Sequence, residues 1–447
     1  MPESKMHVVI VGSRRQSSSN VPGADVPIQV GGSLAGLMHG IAVKRLGHDV
    51  TILEQHQSST REGQAAGIVT MEHSQKFLDH HDLLKDQPYA VNCSSVQILD
   101  KNLKVKLEFQ RPMLMSSWNV LYYRLRANFD GLASSYCTQT PAEPSHIGRA
   151  VYDQGKRVNN LYADKQKVQI EVEDLVNRST STISADQVIV ADGSASQMRH
   201  LLQPQLKHSY AGYVAWRGTV MESSVSDETR NTFQNKTTLH ATSGGYIALY
   251  TIPGENGSLE PGKRLLNYVW YTNMAADSAE FQQAMTDTAG RQHHHTLPIG
   301  KMRSQVWENQ RKVAHEVLPQ PFAELVDRTT QPFISAISDI EVSQAVFFGG
   351  KLLFVGDALV PFRPHVACST NQAALNALLV EQWLAGKMTL ASCERQVLDY
   401  ANATRLRSVT WGCWYQVGYL SFFASKVRHL ATLCGQSLRN GYIYLMG

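Results

Sequence analysis

With 447 residues, 43% of them hydrophobic and 18% charged, the chain has the composition of a folded protein of two or three domains and not of a disordered one. A formal net charge of +4 over that length gives no electrostatic footprint for nucleic acid. The scattered cysteines form no C-x-x-C pair, MPESKMHVVIVG has no apolar signal-peptide core, and no apolar run spans a bilayer; a cytoplasmic location without integral membrane segments is expected.

The chain opens on a strand, His7 to Val11, followed by Gly12. A Ser/Arg/Pro-rich stretch then interrupts it, and Val30-Gly31-Gly32-Ser33-Leu34-Ala35-Gly36 resumes with a glycine turn. Without the 19 residues Ser13 to Gly31 the text closes to VVIVGGSLAGL, an unbroken strand–turn–helix. Pro27 lacks the N–H that a central strand donates, so the pattern predicts His7 to Val11 as the central strand and Ser13 to about Gln29 as a poorly ordered loop. The second reading, in which Val26-Pro27-Ile28-Gln29-Val30 replaces that strand, fails on Pro27; a translated, retained intron is a third, and weakened cofactor binding is the expected cost of the insertion. Leu37, Ile41, Val43 and Leu46 give the next helix its buried face. The strand Asp49 to Leu53 delivers Glu54 roughly 20 residues after the glycines, where an acid that binds a ribose belongs. In this arrangement glycine makes the tight turn, Ser33 lets backbone approach a pyrophosphate, Gly36 permits close helix–strand packing, and the helix N-terminus faces the phosphates.

Further along, Glu62 to Lys85 reads as a helix led in by Arg61 to Gly67. Ser95 to Phe109 reads as a hairpin about Asp100-Lys101-Asn102, and Trp118 to Tyr136 as a helix. Val168 to Asp174 and Thr182 to Val190 read as paired strands. Tyr210 to Met221, Tyr246 to Pro253 and Arg264 to Met274 are aromatic strands, and Gly254 to Gly262 is a loop. Lys351 to Val355 is a buried strand, Gln372 to Leu384 a helix, and the chain from Thr389 onward is mostly helical. Three consecutive histidines, His293 to His295, cannot all face one ion; a structural loop is expected there, and no metal site. Trp216, Trp270 and Tyr271 fit an aromatic pocket and a sheet core about equally well. Trp411 to Ser425 reads as a packed helix, with an interfacial role left open.

Two later turns complete the glycine motif. The strand Gln187 to Val190 delivers Ala191-Asp192-Gly193, followed by Arg199, and Leu352 to Val355 delivers Gly356-Asp357, followed by Arg363-Pro364-His365 and Asn371. An aspartate at such a strand end can accept a hydrogen bond from a ribityl hydroxyl. In this order the three motifs resemble the group A FAD-dependent aromatic monooxygenases, those similar to para-hydroxybenzoate hydroxylase. Tyr210 to Gly218, Ile252 to Gly262 and Arg363-Pro364-His365 resemble the 2,6-dihydroxypyridine 3-monooxygenase branch and fungal biosynthetic relatives. In the run Pro364 to Ala377, Val366 and Ser369 stand where that pattern has glycines and Asn376 where it has aspartate. Trp118 stands where an arginine is often found, with Arg124 or Arg126 as substitutes.

The resemblance implies an α/β fold: a Rossmann-like FAD domain (1–90, 113–205 and 345–395), an inserted mixed-sheet substrate domain (91–112 and 206–344) and C-terminal helices (396–447). It implies FAD held by Gly31, Gly32, Ser33, Ala35, Gly36, Glu54, Gln55, Arg61, Arg124, Asp192, Gly193, Gly356, Asp357, Pro364 and Asn371. NAD(P)H would be the reductant and O2 the oxygen source, for hydroxylation or epoxidation of an electron-rich aromatic or polyketide-type small molecule in secondary metabolism. His365, Tyr213 and Arg217 are the candidates for contact with that substrate, and a monomer or homodimer is expected. A flavin-dependent halogenase shares this fold but carries a W-x-W-x-I-P signature, whereas Trp270 is followed here by Tyr-Thr-Asn-Met. The other alternative is a catalytically impaired scaffold.

Overall fold

The computed structural model describes residues 5–12, 32–58, 66–142, 144, 147–164 and 167–440. The interrupting segment 13–31, with Gly31, and the lead-in 59–65, with Arg61, lie outside them.

His7–Val11 is central, as its uninterrupted β-branched text predicts. It pairs in parallel with Gln187–Val190 on one side and Asp49–Glu54 on the other, with Ile10 opposite both Ile189 and Ile52. Val8 to Val11 are fully buried, as expected of a strand covered on both faces. Leu352–Phe354 and Ala150–Gln154 extend this sheet in parallel, and Val346–Phe347 closes one edge antiparallel. The helix Leu34–Arg45 packs against the helices Trp118–Asp130 and Ser369–Leu384. A three-stranded meander, Lys156–Asp164, Lys167–Asp174 and Ser179–Ala185, sends Val158, Leu161, Val168 and Ile170 into the same core. The three apolar strands that carry the motifs, His7–Val11, Gln187–Val190 and Leu352–Phe354, therefore stand side by side and deliver their turns at one end of the sheet.

The second sheet has nine strands. In spatial order they are Thr296–Leu297, Phe333–Asp339, Ser209–Met221, Leu265–Asn273, Gly245–Ile252, Lys236–Thr242, Val91–Leu99, Val105–Ser117 and Gly67–Thr70. Strand alternation decides the ambiguous aromatics. Trp216 and Trp270 are register partners and turn to the face packed by Phe233, Trp307 and Phe322, so they are core. Tyr213, Tyr246 and Tyr271 cluster on the opposite face.

Several boundaries move. Gly67–Thr70 is a strand, and the helix after it is confined to Glu72–His81. Thr182 to Val190 is two strands in two sheets, Ser179–Ala185 and Gln187–Val190. The helix after Trp118 stops at Asp130, because Gly131 takes a left-handed conformation (φ 72°) that ends it. The C-terminal region is two long helices, Leu390–Gly412 and Tyr419–Asn440, joined by a π turn at Cys413–Val417. Among the described residues no helix is long and apolar enough to cross a membrane.

Candidate active site

A cavity of roughly 2690 Å³ runs between the two sheets. At one end it is walled by Ser33, Leu34, Ala35, Gly193 and Asp357, and at the other by Arg217, Tyr246, Tyr271 and His365.

The first end is built from the three turns. Gly32 donates its N–H to Glu54 Oε2 (2.9 Å), and its carbonyl accepts from the Tyr152 hydroxyl (2.8 Å). A Cβ at Gly32 would lie 2.1 Å from that hydroxyl, so a close approach by Tyr152 demands glycine here. Ser33 holds the N-cap position of the helix Leu34–Arg45 without a side-chain cap hydrogen bond, and the first N–H groups of that helix, with no partner within it, face the cavity end. The Trp118 indole donates to Ser33 Oγ (3.2 Å) and stacks on Tyr122, so the residue found in place of an arginine braces the glycine turn.

The aspartates carry the chemistry of this end. Asp192 receives the Met198 N–H (3.1 Å) on Oδ2, while its Oδ1 is buried without a hydrogen-bond partner. Asp357 also has a buried, partnerless Oδ1, and Ser369 bonds its carboxylate. Burial pushes both carboxyls up to about 6, against the hydrogen bonds from Ser196 and Ser369 that pull them down. Arg199 joins the two turns. Its Nη1 donates to the carbonyls of Asp357 (3.2 Å) and Ala358 (2.6 Å), and its Nη2 donates to the Ser194 carbonyl (2.6 Å). Gly356 has a positive φ of 57° and packs its Cα side against Ala35. Its N–H goes to Asn376 Oδ1 (2.9 Å), so the asparagine found in place of an aspartate still accepts a backbone hydrogen bond.

An orphaned acceptor on Asp357, a helix N-terminus and a glycine turn on one wall fit a dinucleotide with hydroxyl donors and a pyrophosphate. Ser33, Ala35, Gly193, Asp357 and Pro364 line that wall, and Gly32, Gly36, Asp192 and Gly356 stand behind it. Others are placed differently. Glu54 is fully buried and turns onto the backbone of Gly32 and His56, with Gln55 half-buried beside it. Arg124 pairs with Asp82 and donates to the carbonyls of Leu84 and Gln87, which directs the guanidinium into the protein and away from the cavity. Asn371 accepts the N–H groups of His73 and Ser74 and donates to Tyr400, so its amide tethers the helix Glu72–His81.

At the far end, His365 sits between two tyrosines: Nε2 meets the Tyr213 hydroxyl at 2.6 Å and Nδ1 the Tyr246 hydroxyl at 2.7 Å. Its ring lies 4.4 Å from that of Tyr271. Burial drives the imidazole down to about 3, and the nearby Arg363 and Arg217 push the same way, so it is neutral at physiological pH. The tyrosine hydroxyls of this cluster are pushed up by burial and stay protonated. Arg363 donates to Tyr213 (3.2 Å) and is fixed by Asp339. Gly412 passes so close that a Cβ there would sit 2.7 Å from both Arg363 Nη1 and the Tyr213 hydroxyl. Arg217 lines the same wall. Among the described residues it has no carboxylate partner, only the Phe333 ring at 6.0 Å. The sequence pattern singles out His365, Tyr213 and Arg217, which the structure brings to one wall, and Arg199 beside the second turn; it gives no sign of the roles of Tyr246, Asp339 and Gly412. Of the histidine run, His293 pairs with Asp287 (2.9 Å), and His295 lines the cavity against His208.

The chain is 28% identical over 359 residues to 2,6-dihydroxypyridine 3-monooxygenase of Paenarthrobacter nicotinovorans, an alignment covering 80% of this chain and 82% of that one. Residues 210–339, on the substrate side, match the family described as FAD binding domain-like. Among solved structures, the fold matches 2,6-dihydroxypyridine-3-hydroxylase from Arthrobacter nicotinovorans with a TM-score of 0.75 at 24% identity, over 93% of this chain and 94% of that one. It also matches Klebsiella pneumoniae HpxO, complexed with FAD and uric acid, with a TM-score of 0.66 at 16% identity, over 98% and 95%. The likeness therefore extends over most of the chain, in sequence to one monooxygenase and in fold to two solved flavoprotein structures.

Proposed function

We propose that this protein uses NAD(P)H and O2 to hydroxylate an electron-rich aromatic small molecule that bears an acidic hydroxyl or carboxyl group. The observation that carries the reading is the single cavity joining the orphaned Asp357 to an aromatic wall that holds Arg217. Bound FAD supplies the redox chemistry and the activated oxygen; the chain supplies orientation, charge and dryness. Ser33 and the N-terminus of Leu34–Arg45 would hold its pyrophosphate, and Asp357 would accept a hydrogen bond from its ribityl hydroxyls. Arg217 holds the anionic group of the substrate and keeps its ring electron-rich. The neutral His365 can take a proton on one nitrogen as it releases one from the other, so Tyr246, His365 and Tyr213 can relay a proton from a ring hydroxyl. Trp411 at the end of Leu390–Gly412, with Trp414 and Tyr415 in the π turn after it, flanks the apolar side and limits water.

The test is the purified protein itself. It is expected to show a flavin spectrum and to oxidise NAD(P)H faster in the presence of phenolic or hydroxyheteroaromatic acids, with one atom of ¹⁸O2 entering the product. A colourless protein that FAD cannot reconstitute would overturn the proposal. So would oxidation of NAD(P)H that no member of such a panel stimulates.

A further inference from the structure

We propose that His80, His81 and Glu381 form a site for a divalent transition metal of the Zn²⁺ class, joining the helices Glu72–His81 and Ser369–Leu384. The Glu381 carboxylate presents one oxygen to each imidazole: Oε2 to His81 Nε2 at 3.1 Å and Oε1 to His80 Nε2 at 3.8 Å. One donor atom from each of the three residues can lie within 4.8 Å of the other two. In a tetrahedral complex with bonds of about 2.0–2.1 Å, donors stand about 3.3 Å apart. The three donors, all within 4.8 Å of one another, stand somewhat wider than that, and the exposed His80 is the arm that can turn inward to close the set. Two imidazoles and one carboxylate select a borderline metal over Mg²⁺ or Ca²⁺.

The surroundings agree with a cation. Both histidines occupy the last turn of their helix, where the backbone carbonyls present the negative dipole end. The groove at this junction has a volume of about 720 Å³, and its wall includes His80, Glu381, Glu72 and Asp79 against Lys76 and Lys387. Arg45 also acts on His81, so the acids and cations around the site are balanced and the attraction for a metal rests on the three donors themselves. His81 is only 2% exposed and His80 66%, so the site has one fixed and one adjustable arm. At the other end of the same helix pair, Asn371 already ties Ser369–Leu384 to the start of Glu72–His81. A metal pins the second end and stiffens the helix whose first turn lines the cofactor cavity.

The experiment uses the full-length chain with any affinity tag removed and metal stripped by chelation. Zn²⁺ titrated in competition with a chromophoric chelator is expected to saturate at one equivalent per chain and to raise the melting temperature. Co²⁺ at the site should show the visible bands of a four-coordinate complex. His80→Ala, on the surface and free of the core, should weaken binding at least about tenfold, and Glu381→Gln should remove it along with the thermal shift. Absence of a stoichiometric site in the wild type overturns the proposal. Binding that survives His80→Ala undiminished, or that is lost instead in His294→Ala, overturns it as well.

Discussion

The two ends of the cavity treat their polar groups in opposite ways. At the cofactor end, two aspartates keep an oxygen buried without a partner, and a helix start faces the cavity. At the substrate end, the polar atoms of His365, Tyr213, Tyr246, Arg363 and Asp339 are bound to one another, and among the described residues Arg217, like Arg111, Arg407 and Lys426 farther along the wall, has no carboxylate partner. Buried polar atoms without partners are costly, so the first end is poised for a ligand that supplies donors. The second end is largely satisfied within itself and offers a ligand aromatic surface and the Arg217 charge.

Changes on each side sharpen this contrast. The largest effect is expected from Asp357→Ala, which removes an acceptor bonded in its charged state. FAD affinity should fall by about 1.5–3 kcal/mol, roughly 10- to 150-fold, in a fluorescence-quenching titration. Unchanged affinity would mean that the orphaned oxygen faces no cofactor group. Next comes Arg217→Leu, expected to raise KM for an acidic aromatic substrate about tenfold or more while FAD binding stays as it was; an equal loss in kcat alone would move Arg217 from binding to chemistry. Tyr246→Phe should cost roughly 1 kcal/mol in kcat/KM through the lost hydrogen bond to His365, and should change the pH profile of turnover more than KM.

Acidity separates the two ends without mutation. A donor on Asp357 favours its ionised form, so FAD affinity should be full above about pH 6 and weaken as pH falls through that value. A pH-independent titration between pH 5 and 7 would contradict this. His39 and His208, both held down to about 4, and His365, held to about 3, are neutral in the fold but take protons when unfolded. Their contribution to stability is therefore complete above about pH 6.5 and declines below it, measurable as a falling melting temperature. The raised Asp192 and Asp357 work in the opposite direction between about pH 4 and 6 and blunt the decline. The smallest effect is expected from Ser369→Gly, which removes one hydrogen bond from Asp357 and should shift FAD affinity only a few-fold.

The cofactor end was readable because its chemistry restricts local sequence: a glycine where Tyr152 crowds the turn, an acid directly after a buried strand. Its departures were harder to read. Asn376 looks like a lost aspartate, yet it accepts the same kind of backbone hydrogen bond, since an amide oxygen serves a neutral N–H as well as a carboxylate does. Arg124 stands at the right distance along the chain, but the nearby Asp82 captures it, a contact set by tertiary packing. The substrate end was only half legible. Alternation along Ser209–Met221 places Tyr213 and Arg217 on one face and Trp216 on the other, a signal present in the text. Tyr246 and Gly412 reach His365 and Tyr213 from 119 residues before the histidine and from a distant helix, and no local pattern announces either contact.

One consequence follows from how the chain is anchored on either side of residues 13–31. Gly12 donates its N–H to the Leu53 carbonyl (3.1 Å), and Gly32 donates to the side chain of the adjacent Glu54. Both ends of the segment are thus moored at neighbouring points on one strand. A single protease cut within 13–31 would leave the sheet with a short N-terminal peptide held between Gln187–Val190 and Asp49–Glu54 by its ladders, by the burial of Val8 to Val11 and by contacts of Lys5 and His7 with Asp49, Thr51 and Asp186. The nicked protein would be a two-fragment complex whose central strand could be supplied in trans.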